Sequence, residues 1–163
     1  MPKLLFCFLL FIIPLSADQF DAIVEKLLKG SVPQITSAEL ATELKGKTPP
    51  LLLDIREYKE FQVSHLQGAQ FLGYKKVNYS RLDDIKKSIP IIVYCSVGKR
   101  SEDIGEVLRK KGFTNVKNLR GGIFRWANEK RPIYKDKSTE TKEVHPYNKS
   151  WGKWLKEHVV KKH

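Results

Sequence analysis

A small α/β domain is the fold class this sequence predicts: a central, mostly parallel sheet flanked by helices, with a C-terminal helical extension. Three observations carry it. Short apolar runs bounded by turn residues recur at 51–53 and 91–94, the pattern of strands buried on both faces, and a third strand reads at 116–119. Segments with helix-spaced apolar residues lie between them. The length, 163 residues with 41% hydrophobic and 29% charged side chains, suits one globular unit rather than a disordered tail or a fibre.

At the N-terminus, Lys3, the apolar run 4–13 and the small residues Ser16 and Ala17 have the make-up of a secretory signal peptide, residues 1–17. The run is shorter than the ~20 apolar residues of a spanning helix, so no stable membrane span is expected after processing. An uncleaved N-terminal anchor is the alternative. Cys7 would leave with the signal, making Cys95 the one cysteine of a periplasmic or secreted chain. Phe20, Ile23, Val24, Leu27 and Leu28 form a helical stripe closed by Gly30, so 18–31 reads as an N-terminal helix and linker.

Thr36 and Glu39 make a capping box for a short helix with Leu40 and Leu44 inward, stopped by Gly46. Strand 51–53 ends at Asp54, and a short helix is expected over 56–63. Gly68 turns the chain into a brief strand near 70–72; the basic stretch 73–88 follows, anchored by Leu82 and Ile85. After strand 91–94, a helix is expected over 101–111, with Ile104, Val107 and Leu108 facing the core and Gly112 ending it. Strand 116–119 leads through Gly121 and Gly122 into a helix around 123–128. These elements place the α/β domain at 32–134. Beyond it, 135–143 reads as loose, and Trp151, Trp154, Leu155 and Val159 recur at helix spacing. Residues 135–163 are therefore expected to be a basic tail whose Trp-rich helix docks on the domain.

Composition excludes several functions. Two cysteines rule out a disulfide-rich scaffold and a four-thiolate zinc site, and the four histidines lack metal-binding spacing. The net charge of +12 is spread over separate lysine pairs, with no nucleic-acid-binding fold around them; small anions or an anionic envelope surface are the expected attraction. Gly98 and Lys99 lack the upstream glycine and the directly following Ser or Thr of a nucleotide-binding loop. No cofactor and no metal are expected.

One loop carries chemistry. Cys95 directly follows the 91–94 strand, and Ser96, Val97, Gly98, Lys99 and Arg100 lead to a helix at Ser101. Ligands bind at this edge of an open α/β sheet, where loop and helix-start N–H groups form an anion-binding cup. Gly98 permits a backbone angle that a side chain penalises. A cysteine at a helix start beside cations favours the thiolate, the nucleophilic form, and an anionic persulfide is favoured likewise.

Cys-Ser-Val-Gly-Lys-Arg-Ser at 95–101 resembles the active-site loop of the rhodanese family in its single-domain form. Asp54-Ile-Arg56 with Glu60 resembles the family's first signature, and His65-Leu-Gln-Gly68-Ala69 its second, with Ser64 in place of the usual glycine. Gly112-Phe113, then Leu119 to Gly122 with Ile123 and Trp126, resemble the closing signature. The ending Val144-His145-Pro146-Tyr147 with Trp151 and Trp154 resembles an extension on some exported bacterial relatives. The resemblance implies a sulfurtransferase without a cofactor. Cys95 would be nucleophile and persulfide carrier and Arg100 an anion clamp. Ser96, Val97, Gly98, Lys99 and Ser101 would bind the substrate. A small anionic sulfur donor and a thiol or protein acceptor are the implied partners.

The loop puts four residues between Cys95 and Arg100, one fewer than in phosphatase relatives, which points to sulfur transfer. Ser96 stands where the two-domain cyanide enzymes typically carry arginine. Asp54 is expected to pair with Arg56 or to accept loop N–H groups, and Arg56 and Glu60, i,i+4, to pair on a helix face. His65 reads as a structural imidazole, Lys99 as solvent-facing. Arg120 and Arg125 either extend the positive mouth or serve as ordinary surface residues. The competing function is a non-enzymatic rhodanese-like binding module in the cell envelope.

Overall fold

The computed structural model describes residues 15–163, with side chains from Gln19 onward. The signal-peptide residues Lys3 and 4–13 lie outside the described residues. Helix α1 (Leu15–Leu27) is followed by β1 (Gln34–Ile35), α2 (Ser37–Glu43), β2 (Leu51–Asp54), α3 (Tyr58–Val63) and β3 (Gln70–Phe71). Then come β4 (Ile91–Tyr94), α4 (Lys99–Lys110), β5 (Val116–Leu119) and α5 (Gly122–Asn128). Strands β1 to β5 form one five-stranded sheet in the order β1-β5-β4-β2-β3, every neighbouring pair parallel.

Both faces of this sheet are covered, which is why β4 and most of β2 read as unbroken apolar runs. Side chains alternate along β4: Ile91 and Val93 join the core under α4, with Ile104 and Leu108, while Ile92 and Tyr94 join the opposite core. That second core takes Phe20 and Val24 from α1, Leu40 from α2 and Ile123, Phe124 and Trp126 from α5. The Thr36–Glu39 capping box is formed as expected, and Gly112 adopts φ +91° where α4 ends.

Five expectations need correction. A strand not expected from the sequence, β1, precedes the Thr36 cap, its two residues too short to leave a periodic signal. Helix α4 starts at Lys99 rather than 101, because Gly98 is its left-handed cap, and this moves Lys99 and Arg100 into its first turn. Val107 is only half-buried, while Ser101, Glu102 and Gly105 take buried positions on that helix.

The segment 135–143 is not loose. β6 (Ile133–Tyr134) pairs antiparallel with β7 (Glu140–Thr141) across a turn in which Asp136 accepts from the Ser138 and Thr139 N–H groups. The Trp-rich segment is helical for one turn only, α6 (Lys149–Gly152), capped by Asn148. The chain then turns and finishes in β9 (Val160–Lys161), parallel to β8 (Glu143–Val144). The extension does pack back: Val144, Leu155 and Val159 are buried in the α1/α5 core, with Trp151 and Trp154 against them. No helix of the described residues is long and apolar enough to cross a membrane.

Candidate active site

Strand β4 lies at the middle of the sheet, so the 95–98 turn between β4 and α4 sits at the centre of its C-terminal edge. Strand parity places Cys95 with Ile91 and Val93, on the α4 side, where it is 1% exposed. Its Sγ accepts a hydrogen bond from the Gly98 N–H at 3.2 Å. Gly98 closes the turn at φ +108°, a conformation that side chains rarely adopt.

The turn is held from two sides. The Ile123 and Phe124 N–H groups, at the start of α5, donate to the Cys95 and Ser96 carbonyls at 2.9 and 3.1 Å. Gly122 permits that approach, since a Cβ there would overlap the Cys95 carbonyl oxygen. On the other side, Asn118 Nδ2 of β5 donates to the Gly98 carbonyl at 3.0 Å, and its Oδ1 accepts from Ser101 Oγ at 2.7 Å. With the carbonyls so engaged, the N–H groups of Ser96, Val97, Lys99, Arg100 and Ser101 meet no partner among the described residues. They are the donors of an anion cup at the first turn of α4.

The charged residues form a network around this turn. Arg100 makes a bidentate pair with Glu60, at 2.8 Å from Nη1 and 2.9 Å from Nη2, and Nη2 also donates to Ser96 Oγ at 3.1 Å. Burial opposes the Arg100 charge, but the hydrogen bonds and the negative charge of Glu60 outweigh it and raise the guanidinium above its ordinary value. Burial likewise pushes Glu60 up; its bonds to Arg100 and the Glu57 N–H, with the Arg100 and Arg56 charges, bring it below the ordinary carboxylate value.

The i,i+4 pair between Arg56 and Glu60 is therefore absent. Arg56 is fully buried and turns to Asp54, with Nη2 to Oδ2 at 2.7 Å, and to the Ser64 carbonyl. The Asp54–Arg56 pair thus ties the end of β2 to the chain after α3. Lys99 is not free in solvent either, since its Nζ donates to both Asp103 oxygens at 2.8 and 3.0 Å. Ser101 is fully buried, its hydroxyl turned to Asn118. The His65 ring stacks on Phe61 at 4.2 Å, and its backbone bridges to Tyr134. Arg120 and Arg125 pair with the acidic groups Glu25 and Asp21 of α1.

A cavity of about 150 Å³ opens over the turn, lined by residues 95–97, Lys99 and Arg100, and by Leu27 of α1 and Tyr147 and Trp151 of the extension. Other surface hollows, including one of about 270 Å³ beside Trp154, contain none of the 95–101 loop. Sequence reasoning missed Asn118, although a polar residue within an apolar strand was the signal that could have found it. It also missed Glu102, whose buried carboxylate accepts from the Lys29 and Ser31 N–H groups and pins the 29–31 linker to α4. No pattern in the sequence links Leu27, Tyr147 and Trp151 to Cys95.

Comparison with known proteins agrees with this geometry. The family model described as a rhodanese-like domain matches residues 36–129. The probable adenylyltransferase/sulfurtransferase MoeZ of Mycobacterium tuberculosis is 31% identical over 120 residues, 71% of this chain and 30% of that protein. A sulfurtransferase of Allochromatium vinosum is 33% identical over 102 residues, 63% of this chain and 94% of that one. The match thus spans under a third of MoeZ, and 61% of the uncharacterized protein YqhL of Bacillus subtilis.

Among solved structures, the rhodanese-like domain of an Anabaena protein gives a TM-score of 0.58 at 24% identity, over 64% of this chain and 80% of that one. Thiosulfate sulfurtransferase from Pseudomonas aeruginosa gives 0.59 at 18% identity, over 77% and 24%. At these identities the structural likeness is one of fold. Residues 36–129 make up more than half of the chain and include the Cys95 turn with Asp54, Glu60, Arg100 and Asn118 around it; the protein belongs to the rhodanese-like family.

Proposed function

We propose that this protein is a sulfurtransferase that carries sulfane sulfur as a persulfide on Cys95. The observation that carries the proposal is the turn itself. The cysteine sulfur accepts from the Gly98 N–H, in a turn whose Cys95, Ser96 and Gly98 carbonyls are engaged elsewhere and whose other N–H groups meet no partner among the described residues. In this scheme the Cys95 thiolate attacks the terminal sulfur of a donor such as thiosulfate. The donor's S–S bond breaks, and its electron pair leaves with sulfite or the corresponding anion. Loop N–H groups stabilise the charge that develops on the leaving oxyanion. An acceptor thiolate then attacks the outer sulfur of the persulfide and frees Cys95. Two half-reactions through a covalent intermediate give ping-pong kinetics.

Arg100 acts here mainly through Glu60 and Ser96, as a fixed positive charge that orders the turn. The proposal includes export: the N-terminal apolar run would deliver the chain to the periplasm or outside the cell. Incubating the purified protein with thiosulfate and other donors and recording intact mass tests the chemistry directly. A gain of one sulfur atom, lost on adding a thiol, is the expected result. A mass unchanged with every donor would leave the turn a binding surface and not a catalytic one.

A further inference from the structure

Tyr147 covers the cavity above Cys95 without being buried itself: it is 47% exposed, and the Arg100 guanidinium lies 4.9 Å from its ring centre. With Leu27 and Trp151 it walls the mouth of the turn from outside the 36–129 domain. Its backbone holds φ +62°, a left-handed conformation that costs any residue with a side chain and lasts only where neighbours impose it. The neighbour is His145, whose Nδ1 accepts from the Tyr147 N–H at 3.1 Å.

His145 is 3% exposed. A backbone N–H can only donate, so Nδ1 must be bare, and the bond exists only with the neutral ring. Protonation sets one N–H against another, and the left-handed turn loses its hold. The charges around the imidazole come from several elements. Burial, Lys59 of α3, His163 and Arg56 oppose a proton there, while Glu60 of α3 draws one on; the ring titrates below its ordinary 6.5. The His163 ring lies 5.9 Å away, centre to centre. Glu143 of β8 is paired with Lys135 and with Lys162 beyond β9.

Resting on the persulfide reading above, we propose that His145 is a positioning residue that gates the Cys95 site. Neutral, it keeps Tyr147 over the turn; protonated, it releases Tyr147 and opens the mouth to donor and acceptor. The gating step makes and breaks no bond to sulfur: one proton passes from solvent to Nδ1, and one hydrogen bond is lost.

Entry to Cys95 is read in the full chain with N-ethylmaleimide, an uncharged thiol reagent, by the mass of the Cys95 peptide. Rates are compared from about pH 7.5 to about pH 5, the range in which histidines titrate. His145→Asn keeps an acceptor oxygen near the place of Nδ1 but takes no proton. The two chains are expected to react alike at the neutral end. Toward the acid end the wild type should overtake His145→Asn about tenfold, as for a mouth open about a tenth of the time before release and fully after it. Both chains carry the same turn, so the falling thiolate fraction cancels in their ratio. Tyr147→Ala should stand open throughout and meet the wild type at the acid end. A ratio that stays flat, with both chains folded by circular dichroism, overturns the gate. If His145→Asn fails to fold, convergence of the wild type on Tyr147→Ala supports the gate and a constant separation overturns it. Sulfur gain from thiosulfate, read by mass on the same proteins, reports the chemistry separately, so a failed gate and a failed sulfurtransferase reading are told apart.

Discussion

Glu60 and Arg100 reach each other from α3 and α4, and the carboxylate is 1% exposed at its side chain. Removing one partner of such a pair strands the other charge out of water, typically a cost of ~3–5 kcal/mol. Arg100→Ala is therefore expected to lose about that much stability in urea unfolding, and Glu60→Gln in the same chain to recover part of it. Full wild-type stability in Arg100→Ala would show that water already solvates Glu60. Cys95→Ser, by contrast, should unfold near the wild-type midpoint while gaining no sulfur in the mass assay.

Several groups have depressed pKa values in the fold, and Glu60 and His145 are two of them. Glu60 lies below its ordinary 4.5 in the fold, so its contribution is complete above that value and is lost as pH falls through the depressed one. Burial first, and then the Lys59, His163 and Arg56 charges, lower His145 below its ordinary 6.5 against an opposing pull from Glu60. Its contribution is likewise present above 6.5 and declines as pH falls through the lower folded value. Protonation at Nδ1 also removes the acceptor of the Tyr147 N–H. From pH 7 downward the first loss of stability should thus be the His145 step, which His145→Gln should erase, with the carboxylates following at lower pH.

At the scale of elements, the turn exists because α5 and β5 grip it. Gly122 has φ +54° and faces the Cys95 carbonyl, so Gly122→Ala adds both backbone strain and a collision with the turn. The strain alone is worth ~1–3 kcal/mol, and the collision should push the 95–97 backbone away from α5. The expected outcome is a folded but destabilised protein whose Cys95 no longer accepts sulfur, read by circular dichroism and intact mass. Asn118→Ala removes one donor from the Gly98 carbonyl, which keeps the Glu102 N–H and the Ser101 hydroxyl, so a cost of about 1 kcal/mol is expected with the sheet intact. Ser64 anchors the extension in the same way, its hydroxyl donating to the Glu143 carbonyl.

Over the whole molecule, α1 and the extension close one core with α5. Deleting 135–163 would uncover the partners of Val144, Leu155 and Val159, each worth ~1.5–3 kcal/mol when fully buried. The truncated chain is expected to lose roughly 5 kcal/mol or more and to aggregate on heating, and an unchanged melting temperature would contradict this. Processing is the second prediction at this scale. Cleavage after Ala17 would spare Phe20 and Val24, the core residues of α1. If the proposed export holds, N-terminal sequencing of the mature chain should begin at or near Asp18; a chain retaining Met1 in the membrane fraction would favour an anchor.

The central strands and the helices between them, the capping box at Thr36, the Gly112 end of α4 and the cysteine turn were legible in the sequence. Each depends on neighbours a few residues apart: apolar period, glycine conformation and cap chemistry act locally. What only the tertiary structure decided is who meets whom across the chain. Glu60 had an equally good local partner in Arg56, yet Arg56 is taken by Asp54 and Glu60 by Arg100, because all four side chains are buried or nearly so and each charge needs its own counter-charge. Trp151, Trp154, Leu155 and Val159 kept a helical period, but the extension follows the surface of α1 and α5 and gives up the helix after one turn. The mouth over Cys95 joins Leu27 to Tyr147 and Trp151 across most of the chain, and no local rule of period or propensity reaches that far.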